Sequence, residues 1–158
     1  MLALDEFTIG SFTDAKPLSL VLPRSAYDFK VLVAGTHEEP AYVCLDERAP
    51  FSLFGQNEAL ACSGLIVPGV KIELDAGKAV AEHDKTAGSL IRQGTTAAIL
   101  VAGHRHYYGL RPVTVVDGLA HVGQLAPAVF PEWQIVLGQG PEKRVLWCSS
   151  EARAQAGN

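Results

Sequence analysis

Trp133-Gln-Ile-Val-Leu-Gly-Gln-Gly-Pro-Glu-Lys-Arg-Val-Leu-Trp-Cys-Ser149 reads as two extended segments folded back on one turn. Gln139-Gly-Pro-Glu142 supplies turn chemistry, so Trp133 to Gly138 is expected to pair with Lys143 to Ser149. In the simplest register, Trp133, Ile135, Leu146 and Cys148 share one side, and Val136, Val145 and Trp147 share the other. A strand pair apolar on both faces must be covered on both, either by layers of its own fold or by a subunit interface.

The neighbouring sequence carries the same signature. Asp117-Gly118 sits between Val113-Thr-Val-Val116 and Leu119-Ala-His-Val122. An Asp-Gly pair suits a type I′ hairpin turn, which would place Val116 against Leu119 and Thr114 against His121. Further upstream, Leu18 to Leu22, Phe29 to Ala34, Ala41 to Leu45, Val70 to Leu74 and Ala97 to Ala102 are short, β-branched or apolar, and bounded by Gly, Pro or Asp. Asp75-Ala-Gly77 is a further turn. Helical spacing is scarce. Val80, Ala87, Leu90 and Ile91 fit a helix over Lys78 to Gln93 with Gly94 as its stop, but Gly88 interrupts it and a strand pair fits the same residues. Asn57 to Ser63 suits one or two helical turns.

The expected fold is mainly β: a barrel or two-layer sandwich of many short antiparallel strands with one or two short helices. The alternative is α+β with a helix near residues 78–93. Residues 1–149 are expected to form a single β-rich domain, and 150–158, small and polar, a flexible tail.

An internal two-fold repeat is also suggested. Leu-Val-Ala-Gly occurs at Leu32 to Gly35 and again at Leu100 to Gly103. Each copy ends a strand and opens a His-bearing loop, and a proline follows each time, Pro40 and Pro112. Later, Gly64-Leu-Ile-Val-Pro-Gly-Val-Lys-Ile-Glu-Leu74 is echoed by Gly123-Gln-Leu-Ala-Pro-Ala-Val129 and then Gln134-Ile-Val-Leu137. The alternative is chance reuse of Val, Leu, Ala and Gly, which β-rich chains favour.

Composition narrows the function classes. Only 19% of residues are charged and 48% are hydrophobic. An average chain carries about 25% charged residues, so either the core is large or an apolar patch is covered by self-association. The net charge of −4 argues against a nucleic-acid partner. No apolar run approaches the ~20 residues of a membrane helix. Cys44, Cys62 and Cys148 are odd in number, widely spaced and without a Cys-x-x-Cys pair. With acidic residues at the N-terminus where a signal peptide would be basic, they point to a reducing, cytoplasmic setting.

The candidate site is the pair of His-bearing loops. His104-Arg105-His106-Tyr107-Tyr108 places two imidazoles two residues apart, on one side of an extended chain. His104, His106 and His121 are the candidate ligands for a divalent metal such as zinc, with His37 or Glu39 from the equivalent loop as a further ligand. His-x-His also opens the cupin metal motif, but Leu110 and Arg111 stand where that motif needs its Glu. The metal-free reading takes no cofactor. It makes His37, Glu39, His104, Arg105, His106, Tyr107, Tyr108 and Arg111 a contact surface, with an acidic loop facing a basic one. No nucleophile elbow or phosphate loop is present. Two function classes follow: a non-enzymatic binding or assembly protein acting as a homo-oligomer with a small-molecule or protein partner, or a metal-dependent enzyme or small-ligand pocket.

Overall fold

The structure, a computed structural model, describes residues 2–23, 30–45, 51–81, 86–93, 96–102, 110–116 and 128–151. Its strands are β1 (Thr8–Ser11), β2 (Ser19–Pro23), β3 (Val31–Gly35), β4 (Pro40–Cys44), β5 (Leu53–Phe54), β6 (Ser63–Val67), β7 (Lys71–Leu74), β8 (Leu90–Gln93), β9 (Thr96–Ala102), β10 (Leu110–Val116), β11 (Ala128–Phe130), β12 (Trp133–Leu137) and β13 (Arg144–Cys148). One short helix, α1, spans Gln56–Ala61. The strands form three antiparallel sheets, in the orders β1-β6-β2-β3-β4-β5, β10-β9-β8-β11 and β13-β12-β7. None of the three closes on itself among the described residues. The mainly β expectation holds, as do a helical segment after Gly55 and a turn at Asp75, whose Oδ1 accepts from the Gly77 amide at 2.9 Å.

The alternative, a helix over residues 78–93, is not formed by the described residues of that span. Ala76–Lys78 is a 3-10 turn, Val80 makes an isolated antiparallel bridge to Val129, and Leu90–Gln93 is β8. Gly88 adopts φ +81, outside the helical region, and Leu90 gains a strand partner on each side. Two cross-strand partners outweigh a weak helical spacing.

One core joins all three sheets. It contains Leu20, Leu32, Val43 and Val67 from the first, Leu90, Ile99, Val101 and Phe130 from the second, and Trp133, Ile135 and Trp147 from the third. Each fully buried Leu or Ile contributes roughly 1.5–3 kcal/mol. A smaller core lies on the opposite face of the first sheet. There Val21, Val31, Val33, Tyr42 and Ile66 pack under Phe12 and Ala59, carried by a 3-10 turn and α1.

The repeat is visible in the connectivity. β2, β3, β4 and β6 pair as β2·β3, β3·β4 and β2·β6, and β8, β9, β10 and β11 pair as β8·β9, β9·β10 and β8·β11. Registers match too. Leu20 lies between Leu32 and Val67, and Leu90 lies between Ile99 and Phe130. Ser19 and Ser89 precede these leucines, and both are buried. Before them, Leu18 (φ 61) and Gly88 (φ 81) donate their amides to Val33 O and Leu100 O.

The strands that follow, β7 and β12, pair with each other around Ile72 opposite Ile135. Ile66-Val-Pro-Gly-Val-Lys-Ile-Glu-Leu74 thereby matches Val129-Phe-Pro-Glu-Trp-Gln-Ile-Val-Leu137 without a gap, and Ile72 and Ile135 are equivalent. Two sequence landmarks are therefore offset. Pro68 corresponds to Pro131, not Pro127, and Leu32 corresponds to Ile99, not Leu100. The second Leu-Val-Ala-Gly is one residue out of step. A slip of one exchanges the two faces of a strand, and only Ile99 and Val101 face the main core as Leu32 and Ala34 do.

The C-terminal hairpin forms as expected, but a bulge changes its faces. The pairs are Gln134 with Cys148, Ile135 with Trp147, Val136 with Val145 and Leu137 with Arg144, leaving Leu146 as the extra residue. Trp147 therefore joins Trp133 and Ile135 in the core, while Val136, Val145 and Cys148 belong to the outward face. The Asp117-Gly118 turn, with the Leu119 to Val122 strand, lies outside the described residues, as does 152–158; Ser150 and Glu151 are in a helical turn.

Candidate functional site

The third sheet brings several polar and charged groups together on one face. Across its outward face, Glu73, Gln134 and Cys148 stand in one row on β7, β12 and β13. The Gln134 amide donates to Glu73 Oε2 at 3.1 Å, and Lys143 Nζ donates to the same oxygen at 3.0 Å. These two donors, Lys143 first, hold the Glu73 carboxyl below the usual glutamate range. At the end of the row, Lys78 pairs with Glu132, and that carboxylate holds the Lys78 ammonium above its ordinary value. Both ion pairs are well exposed to water, so they orient the face more than they stabilise it.

Between these groups runs a half-open groove of about 510 Å³, lined by Glu73, Leu74, Asp75, Lys78, Glu132, Trp133, Gln134, Cys148 and Ser150. Cys148 Sγ lies 3.0 Å from Ser150 Oγ.

The floor of the groove is rigid. Trp133 is 2% exposed, and its indole N–H donates to Gly88 O at 2.6 Å. Its backbone amide donates to Ser149 Oγ at 2.9 Å, and that buried hydroxyl donates to Pro131 O at 3.1 Å. Trp133 and Trp147 meet at a tilt of 51°, 4.7 Å between centroids, and Phe51 meets Trp147 edge-on at 6.0 Å.

The residues singled out from sequence lie elsewhere. His37 and Glu39 are exposed in the turn between β3 and β4, closed by Thr36 N–H to Glu39 O and by Glu39 N–H to Thr36 Oγ1, each 3.1 Å. Arg111 stands on β10 opposite Val101. His104, Arg105, His106, Tyr107, Tyr108 and His121 lie outside the described residues, and with them the joint metal site. Among the described residues, no group of three His, Cys, Asp or Glu is placed to hold a metal ion. The groove has no sequence motif. Its members come from three strands and the three turns beside them, and the β7·β12 pairing, which the repeat implies, and the β12·β13 pairing bring them together.

No helix among the described residues is long and apolar enough to cross a membrane. No solved structure matches the chain. A protein of Sinorhizobium fredii (strain NBRC 101917 / NGR234), described as "Uncharacterized protein y4lG", is 39% identical over 153 residues, covering 96% of this chain and 94% of the relative. The family described as "Uncharacterised protein y4lG" matches residues 9–157, and the chain belongs to it.

Proposed function

We propose that this protein is a non-enzymatic binding or assembly domain that works as a homo-oligomer. The observation that carries the reading is the unequal burial of two equivalent isoleucines. Ile135 on β12 is 0% exposed, whereas Ile72 on β7 is only half-buried, and Leu74 beside it is half-buried too. β12 has a strand on each side; β7 has one on its β12 side alone among the described residues. A half-covered apolar pair at a sheet edge is what self-association covers.

The low charged share of 19% supports the same reading, as do Ile9 on β1 (61% exposed) and Val145 on β13 (54% exposed). That no disulfide joins Cys44, Cys62 and Cys148 fits a reducing compartment such as the cytoplasm. Size-exclusion chromatography with light scattering tests the oligomer. The expected mass is a whole multiple of the single chain. A single-chain mass at every concentration up to the millimolar range overturns the reading.

A further inference from the structure

We infer that the outer edge of β7 is the docking edge for β7 of a second copy of this chain, so that two three-stranded sheets join into one. The inference rests on the homo-oligomer reading above and names its interface. It begins from the repeat. β12 carries β13 along its outer edge, and Trp147 of β13 stands opposite Ile135 and seals it. β7 is the counterpart of β12, paired with it about Ile72 and Ile135, yet no strand occupies the corresponding place beside it among the described residues. The missing component is therefore an extended segment with an apolar residue opposite Ile72.

β7 itself meets that requirement. Lys71-Ile-Glu-Leu74 is self-complementary when two copies run antiparallel about Ile72. Ile72 then faces Ile72, as it faces Ile135 within the chain. Each exposed Lys71 faces the Glu73 of the other copy on the outward face. Directly opposed charges of unlike sign stabilise an antiparallel pair, and like charges destabilise it. Backbone edges attract strands, and two-fold pairing of identical edges closes the assembly at two chains.

The other edges are less open. Along β13, Lys30 Nζ donates to Leu146 O at 3.2 Å, and Glu6 pairs with Arg144. β5 has two residues, β1 ends in a 3-10 turn after four, β10 lies against β3, and β11 is bridged at Val129 by Val80. In this pairing the Leu74 end of β7, which lines the groove, meets the residues that precede β7 in the second copy, among them the exposed Pro68 and Gly69.

The test is a charge-exchange series measured by sedimentation equilibrium, with thermal unfolding as the check that each variant folds. Lys71→Glu places two Glu–Glu pairs across the dimer. It is expected to weaken dimerisation about tenfold or more, since each exposed pair contributes up to ~1 kcal/mol. The double variant Lys71→Glu/Glu73→Lys restores opposite charges across the dimer, although it gives up the Glu73–Lys143 pair within each chain, and is expected to recover most of the lost affinity, a recovery that a merely destabilising change does not produce. A wild-type dimer whose affinity is the same in Lys71→Glu overturns the β7 interface and leaves the homo-oligomer standing. A wild type that is monomeric throughout overturns both. A dimer lost in Lys71→Glu and not regained in the double variant also counts against the pairing.

Discussion

Trp133→Ala is expected to destabilise the fold by about 3–5 kcal/mol, the range for removing a large buried aromatic side chain. The residue ties the three sheets together. Its ring packs at a tilt against Trp147 of its own, third sheet, 4.7 Å between centroids, and its N–H reaches Gly88 O just before the second sheet begins. The ring also neighbours Phe51, which follows the first sheet's β4. Alanine loses all three contacts and leaves a cavity at the junction. For a chain of this size about 1 kcal/mol lowers the melting temperature by ~2–4 °C, so a fall of roughly 6–20 °C is expected in a thermal melt. Trp133→Phe separates the contributions. It keeps most of the ring and leaves Gly88 O without its donor, for an expected loss of about 1–3 kcal/mol. A Trp133→Ala melt within a degree or two of wild type would contradict a shared core.

Gly88→Ala is expected to cost about 2–6 kcal/mol, from two causes that act together. The residue sits at φ +81, where a side chain carries a strain of about 1–3 kcal/mol. A Cβ there would also lie 2.1 Å from the Phe51 ring, and relieving such a clash in a packed core costs about 1–3 kcal/mol. The equivalent position in the first half, Leu18, shows that the backbone conformation alone is tolerated. The difference is the aromatic ring laid over Gly88. Urea unfolding checks this: the midpoint should drop with an unchanged slope, and an unchanged midpoint refutes the close Phe51–Gly88 packing.

Much of the architecture was readable because alternation and turn chemistry are local. The strands at Leu18, Ala41, Val70 and Ala97, the turn at Asp75 and the hairpin through Gln139-Gly-Pro-Glu142 all follow from residues within a few positions of each other. What failed was decided at long range. The face of Trp147 depends on one bulge residue, Leu146, which strand alternation does not encode. The segment after Lys78 became strand because Val129 and Phe130, far along the chain, offer partners to Val80 and Leu90.

The repeat was legible in outline, and its most obvious signal, the identical Leu-Val-Ala-Gly, was misleading in register. Evolutionary reuse of small apolar residues does not respect the two faces of a strand, whereas the core does. The groove illustrates the same limit. Glu73, Lys78, Glu132 and Cys148 meet only through the pairing of β12 with β7 on one side and β13 on the other, so no spacing in the sequence announces them.

Backbone hydrogen exchange along β7 tests self-association through this sheet most directly. Alternate amides of Lys71 to Leu74 point toward β12 and away from it. The inward amides should be protected at every protein concentration. The outward ones should be protected in concentrated solution and become labile on dilution, in step with the loss of the dimer. Outward amides that exchange at the rate of an unpaired edge at all concentrations would contradict the account.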